Sequence, residues 1–273
     1  MFLFSEFRRK CLAFLLEELM KDALFFCDAH FHAVQCHRLP VDSESARFWG
    51  ISCAHAVDEY WEQEKLLAEG SRRIWGAFGL HPQNPLVENA SFLEELLRKK
   101  QIVAIGEAGF DFFTPAFRDD RARQEAAWDI SKKLALHYQV PLIVHNRKAL
   151  DLMFRDCREL SNVTSVIFHS FAFGVREALA LLDHGINAYF SFGKPLLNGN
   201  KRSIACAREL PFGRLLLETD APFQMLKGKE RTEPEEIVRV YTEFCRLRGV
   251  ALGETCQKLW QNFCAAYNMA SAS

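Results

Sequence analysis

The chain has no pair of cysteines spaced CxxC, although it contains nine. An odd number without framework spacing excludes a disulfide scaffold and a zinc-ribbon arrangement, and reads as reduced, buried thiols, with the cytoplasm as the expected compartment. No stretch of about 18 uncharged apolar residues occurs, which excludes a membrane-spanning helix. Charge of one sign is also missing: 34 Lys+Arg against 35 Asp+Glu leaves a net charge of −1 and no basic coat for a polyanion. There is no Ser/Gly/Pro-rich linker and no internal repeat, so the 273 residues are expected to form one domain. The segment "FRRKCLAFLLEELM" puts positive charge before apolar residues, as a secretory signal does. Glu17 and Glu18 interrupt it too early and no small-residue cleavage site follows. An amphipathic helix over about residues 5–21 is expected there, within an N-terminal extension spanning 1–23.

What is present is an alternation. Eight short apolar, β-branched or aromatic runs are strand candidates: 24–32, 47–56, 73–82, 102–111, 140–147, 165–172, 187–193 and 214–222. Several are apolar almost throughout, the pattern of parallel strands covered on both faces. Between and after them lie segments of helical period, among them "DEYWEQEKLLAEG" (58–70), "RDDRARQEAAWDISKKLALHYQ" (118–139) and "LGETCQKLWQNFCAAYN" (252–268). The pattern predicts an α/β fold, a (β/α)8 TIM-like barrel over 24–270, with a doubly wound open sheet as the alternative.

In such a barrel the chemistry sits at the C-terminal ends of the strands. Strand 1 ends in His30-Phe31-His32, and in an extended strand residues two apart share a face. Strand 3 ends in His81-Pro82, strand 4 carries Gly106-Glu107, and strands 5 and 6 end in His145 and His169. Strand 8 ends in Glu218-Thr219-Asp220. Any one of these is readily a hydrogen-bonded strand-end residue. Together, His30, His32, Glu107, His145, His169 and Asp220 are a different matter, because buried ionisable groups cost several kcal/mol each unless paired or bound to metal. Imidazole and carboxylate ligands suit zinc, manganese or magnesium. Six ligands accommodate two divalent ions about 3.5–4 Å apart, sharing a bridging carboxylate or water, and the implied reaction is metal-assisted hydrolysis.

The ordered series "DAHFH", "GLHP", "GEAGFD", "PLIVHNRKA", "FHSFAFG", "LLLETDAPF" and a late "QNFCAAY" resembles the TatD family of metal-dependent deoxyribonucleases, within the amidohydrolase superfamily. The resemblance runs from about Asp28 to Tyr267. It implies that His30, His32 and Asp220 hold one metal and that Glu107 bridges to a second held by His145 and His169. Asp220 would take a proton from the attacking water, making Asp220 and Glu107 the catalytic carboxylates. The resemblance further implies phosphodiester hydrolysis of DNA, commonly from the 3′ end of single strands. Beside DNA, neither a membrane nor an obligate protein partner is expected.

The series departs from the family in places. Gln83 stands where a second histidine is usual after "GLHP", Gly109-Phe110-Asp111 replaces Gly-Leu-Asp, and about 20 residues precede the first motif. These differences bear on substrate more than on hydrolysis, so another ester or amide, such as an aminoacyl-tRNA or a small phosphoester, is the alternative substrate. A metal-binding scaffold is disfavoured because all six ligand positions are filled by competent residues.

Around the ligands, His81, Arg147 and Lys194 are candidate phosphate contacts, the arginine as a clamp. Asp111 is a candidate partner for a ligand histidine. Phe110, Phe112, Phe113, Phe171 and Phe173 flank two loops and are weighed between base stacking and core packing. His37, His55, His137 and His184 fall outside the ligand series and are assigned no chemistry, and the cysteines are taken as buried hydrophobes.

Overall fold

The structure, a computed structural model, describes residues 24–43, 45–70 and 73–269. The helix expected over 5–21, and the extension containing it, lie outside the described residues. Eight strands form one sheet in sequence order: β1 (Leu24–Phe31), β2 (Ala46–Ala54), β3 (Ile74–Phe78), β4 (Ile105–Asp111), β5 (Leu142–Arg147), β6 (Val166–Phe168), β7 (Ala188–Phe192) and β8 (Leu215–Leu217). Every neighbouring pair is parallel. A doubly wound sheet reverses its strand order at a switch point, and this one does not, so the fold is the (β/α)8 barrel.

Helices occupy the outer layer: α1 (Val57–Gly70), α2 (Ala90–Lys99), α3 (Pro115–Asp119), α4 (Arg121–Tyr138), α5 (Leu150–Arg155), α6 (Cys157–Leu160), α7 (Val175–Asp183), α8 (Lys201–Glu209), α9 (Ile237–Arg248) and α10 (Leu252–Ala266). Among the described residues no helix is long and apolar enough to cross a membrane. The described cysteines are free, and most are buried.

Two devices shape the barrel around the future site. At the crossing of β3, β4 and β5 the backbones approach closely. A Cβ on Gly79 would lie 2.4 Å from the Glu107 carbonyl oxygen, and one on Gly109 (φ +135°) would lie 2.3 Å from that of His145. Only glycine tolerates both the contact and, at 109, the backbone angle.

The second device closes the ring. β8 and β1 lack a regular ladder, so the edges of both strands carry backbone groups that need partners. At the C-terminal rim, Asp220 N–H donates to His30 O (3.0 Å) and His32 N–H donates to Ala221 O (2.8 Å). The Asp28 carboxylate accepts from Thr219 N–H (2.9 Å) and Thr219 Oγ1 (2.5 Å). Lower down, side chains do the work. The Tyr241 hydroxyl accepts from Cys27 N–H (3.0 Å), the Tyr267 hydroxyl donates to Ala29 O (2.6 Å), and Asn262 Nδ2 donates to Leu215 O (2.9 Å). The late "QNFCAAY" therefore staples the seam from both sides: Asn262 serves β8 and Tyr267 serves β1.

Removing one staple leaves a buried carbonyl without its donor, a loss of about 1–3 kcal/mol. Tyr267→Phe is expected to lower stability by that amount at unchanged m-value in urea unfolding. An unfolding midpoint equal to wild type would show that water replaces the hydroxyl.

Candidate active site

All six residues of the predicted ligand set meet at the C-terminal mouth of the barrel. His30 lies within β1 and His32 one residue beyond it, His145 lies within β5, His169 follows β6, and Asp220 comes three residues after β8. Glu107 differs from a strand-end residue. It is the third residue of β4, in a segment where the register with β5 shifts between Ile105 and Ala108, which carries its side chain inward below the rim. Chain direction changes sharply after the ligand-bearing segments: Lys148, Ser170 and Asp220 itself have left-handed φ angles of 61°, 51° and 52°. Such angles cost non-glycine residues about 1 kcal/mol or more, and are sustained here by surrounding bonds.

Glu107 is the hub. Its Oε1 faces Nε2 of His30 (3.2 Å), His32 (3.4 Å) and His55 (3.2 Å). Its Oε2 faces His169 Nε2 (2.6 Å), His145 Nδ1 (3.1 Å) and His81 Nε2 (3.5 Å). Asp220 Oδ1 completes the Oε1 side at 3.5 Å from both His30 and His32 Nε2. Glu107 Oε1 has no hydrogen bond.

Most of these separations exceed the about 2.7–2.9 Å of a charge-assisted hydrogen bond. They match the spacing of about 3.3 Å between two ligand atoms on one tetrahedral ion with bonds of about 2.0–2.1 Å. Among the described residues four three-residue groups are suited to a divalent ion: His30, His32 and Glu107; His30, His169 and Asp220; His55, His81 and Glu107; and Glu107, His145 and His169. The donor set fits divalent metal, with the carboxylate turned to both sides at once.

The outward nitrogens of two of these rings, His145 and His30, have partners of the kind that orient metal ligands, whereas Nδ1 of His32 and of His169 makes no hydrogen bond. His145 Nε2 lies 3.1 Å from Asp111 Oδ2, which also accepts from Gln83 Nε2 (2.8 Å). Gln83, the departure after "GLHP", thus supports His145 through Asp111. His30 Nδ1 lies 3.3 Å from Cys53 Sγ, so Cys53 is more than a buried hydrophobe. It fixes the ring that presents Nε2 to the centre.

Without ions, the electrostatics are those of an over-filled site. Burial raises the Glu107 and Asp220 carboxyls, but the histidines facing them more than offset this and hold both well below the usual carboxylate range. Burial pushes Glu218 up to about 8 and Asp28 up to about 7. Burial lowers His145, yet its bonds to Asp111 and Glu107 carry it to about 9. Burial dominates at His81, which falls to about 3 and is neutral.

The structure corrects several expectations. His55, assigned no chemistry, follows β2 directly and sits between His32 and His81, ring centroids 5.5 and 4.7 Å away. Lys194, a candidate phosphate contact, is fully buried and paired with Glu236 Oε2 (3.2 Å) and Thr232 Oγ1 (3.3 Å). That pairing commits its charge to the loop after β8. Phe110, Phe112 and Phe171 are buried in the core. Phe113 remains at the surface, 50% exposed, with the Arg147 guanidinium 4.0 Å and the Lys148 ammonium 4.5 Å from its ring centre. Sequence reading passed over Phe223, which is 51% exposed with its ring 5.0 Å from that of His32.

A (β/α)8 barrel whose mouth gathers this set of imidazoles and carboxylates is a metal-dependent hydrolase. The chain belongs to the TatD related DNase family, whose profile matches residues 27–268. It is 30% identical over 214 residues to the metal-dependent hydrolase YjjV of Escherichia coli (strain K12), covering 74% of this chain and 80% of that one. It is 31% identical over 204 residues to the 3′-5′ ssDNA/RNA exonuclease TatD of Pantoea ananatis (strain LMG 20103), covering 69% and 76% of the two chains. The crystal structure of Escherichia coli YjjV superposes with a TM-score of 0.76 at 25% identity, covering 90% of this chain and 98% of that one.

Glu218 and His145 bind protons more tightly in the folded chain than their ordinary values of about 4.3 and 6.5 allow in the unfolded one. Their contribution to stability is complete below those values and is lost as pH rises through about 8 and about 9. The melting temperature in EDTA is therefore expected to fall between pH 7 and 9.5. Saturating Mn²⁺ or Zn²⁺ selects the deprotonated His145 and should remove its share of the fall. A flat profile in EDTA would contradict the assignment.

Proposed function

We propose that the protein is a nuclease carrying two divalent ions, which shortens single-stranded DNA, commonly from the 3′ end, by attack of an activated water on the phosphodiester. The observation that carries this reading is the division of imidazoles between the two oxygens of Glu107. His30, His32 and Asp220 would hold one ion, His145 and His169 the other, with Glu107 between them. A bound pair would lower the pKa of a water and offset charge developing on the phosphoryl oxygens.

The chain's own residues supply the rest. Asp220, held ionised by His30 and His32, would take the proton of the attacking water on its carboxylate. Its orientation is set from behind, where Thr219 is locked onto Asp28 and the Asp220 N–H onto His30 O. Arg147, which lies 3.7 Å from Asp111 and over Phe113, offers a cation at the rim for the backbone of the strand.

The exposed rings of Phe113 and Phe223 are suited to bases, since base–aromatic stacking contributes about 1–3 kcal/mol per base without regard to sequence. The Pantoea relative is named for exonuclease activity on single-stranded DNA and RNA, which agrees with a single-strand substrate. A near-neutral chain with only a local basic rim fits binding of a strand end better than wrapping of a duplex.

The test is hydrolysis of end-labelled single-stranded DNA with Mg²⁺, Mn²⁺ or Zn²⁺, with EDTA and Glu107→Ala as controls. Metal-dependent shortening that is lost in the variant is expected. DNA left intact by protein shown to bind two metals would overturn the nuclease reading and point to another ester or aminoacyl substrate. In the same assay Phe223→Ala is expected to raise KM on single-stranded DNA by about tenfold, the effect of losing one stacked base. An unchanged KM would move the stacking role elsewhere.

A further inference from the structure

Six imidazoles surround Glu107, and two ions with the ligands above use only His30, His32, His145 and His169. His55 and His81 are left over. They are also the two most exposed of the six, at 18% and 15%, so they line the entrance rather than the floor.

Their chemistry differs from that of the ligands. His81 Nδ1 accepts the Gln83 backbone N–H at 3.2 Å, so in the neutral ring the proton sits on Nε2. A protonated Nε2 is a hydrogen-bond donor and not a metal ligand. Gln83 thereby sets the tautomer of His81 with its backbone while its side chain supports Asp111. His55 has no hydrogen bond to either ring nitrogen, although both atoms are buried. A buried polar atom left without a hydrogen bond costs about 1–3 kcal/mol, so the His55 ring, whose Nε2 faces Glu107 Oε1 at 3.2 Å without bonding it, is suited to a group that arrives from outside. The two Nε2 atoms approach opposite oxygens of Glu107, at 3.2 and 3.5 Å. With ions on that carboxylate, the two rings would be free to offer an N–H to an oxyanion at the mouth.

The surroundings extend the same character. From His81 the chain of contacts runs through Gln83 to Asp111 and then to Arg147, so the two imidazoles and the guanidinium lie along one side of the mouth.

We propose that His55, together with His81, forms an oxyanion subsite that grips a non-bridging oxygen of the phosphoryl group, with His55 as a substrate-positioning residue. The subsite deepens the nuclease reading above, on which it rests.

The experiment compares wild type with His55→Ala and His55→Gln, all loaded with Mn²⁺. Metal content is measured by mass spectrometry, inorganic phosphate binding by calorimetry, and KM and kcat on single-stranded DNA. His55→Ala is expected to keep its metal content, to bind phosphate about 10- to 100-fold more weakly, and to raise KM more than it lowers kcat, as for a lost hydrogen bond to a charged group. His55→Gln, which keeps an N–H donor, should recover much of the loss. Loss of one metal ion in His55→Ala would make His55 a ligand and overturn the proposal. Unchanged phosphate binding would overturn it too, whether or not the protein cleaves DNA. Failure to cleave DNA with phosphate binding still dependent on His55 would reject the nuclease reading alone and keep the subsite.

Discussion

A carboxylate buried at the centre of an apolar barrel cannot stay ionised unless positive or proton-donating groups meet both of its oxygens. Glu107 imposes that condition on the whole mouth. Its place on β4, inside the rim, fixes how far every other side chain must reach, and imidazoles from β1, β5 and the segments after β2, β3 and β6 all arrive at it. The glycines at 79 and 109 belong to the same condition, since only a bare backbone lets the neighbouring segments pass close enough. Divalent ions turn this crowding of donors into coordination, and in their absence the same groups must share protons.

The supports behind the ligands show how a sharp geometry is kept. Asp111 holds His145, Cys53 holds His30, and Asp28 with Thr219 holds Asp220. Each support comes from a different part of the chain, so the ligand positions are determined by the completed barrel rather than by any one loop. This is the arrangement that a reaction sensitive to small displacements demands.

Most of the barrel, and the gathering of the six residues at its mouth, was legible in the sequence because one rule, polar residues where apolar strands finish, applies to each strand separately. His55 obeys that rule as well. It was passed over because the apolar run of strand 2 was read through Ala56, whereas the strand stops at Ala54 and leaves His55 at its end. Lys194 misled for the opposite reason. It does follow a strand, but its partner Glu236 lies on a later segment, and no local pattern announces a pairing across that distance. The thiol behind His30 was invisible for the same cause, since a cysteine inside a β-strand looks like any small apolar residue until the fold sets it beside a ring nitrogen. Gln83 was visible as a substitution, yet its dual engagement with His81 and Asp111 depends on a turn that spacing does not reveal.

The seam between β8 and β1 has a consequence for how the molecule is assembled. One half of the centre, His30, His32 and Asp220, draws on the two ends of the barrel, and the Asp28–Thr219 bond that frames it joins residues 191 apart in sequence. The other half, Glu107, His145 and His169, comes from three consecutive strands in the middle of the chain. Bringing the two ends together closes a loop that spans most of the chain, at an entropic cost that rises only slowly with its length. The seam thus doubles as the latch of the barrel: the side of the mouth built from His30, His32 and Asp220 takes shape only once the last strand has docked on the first.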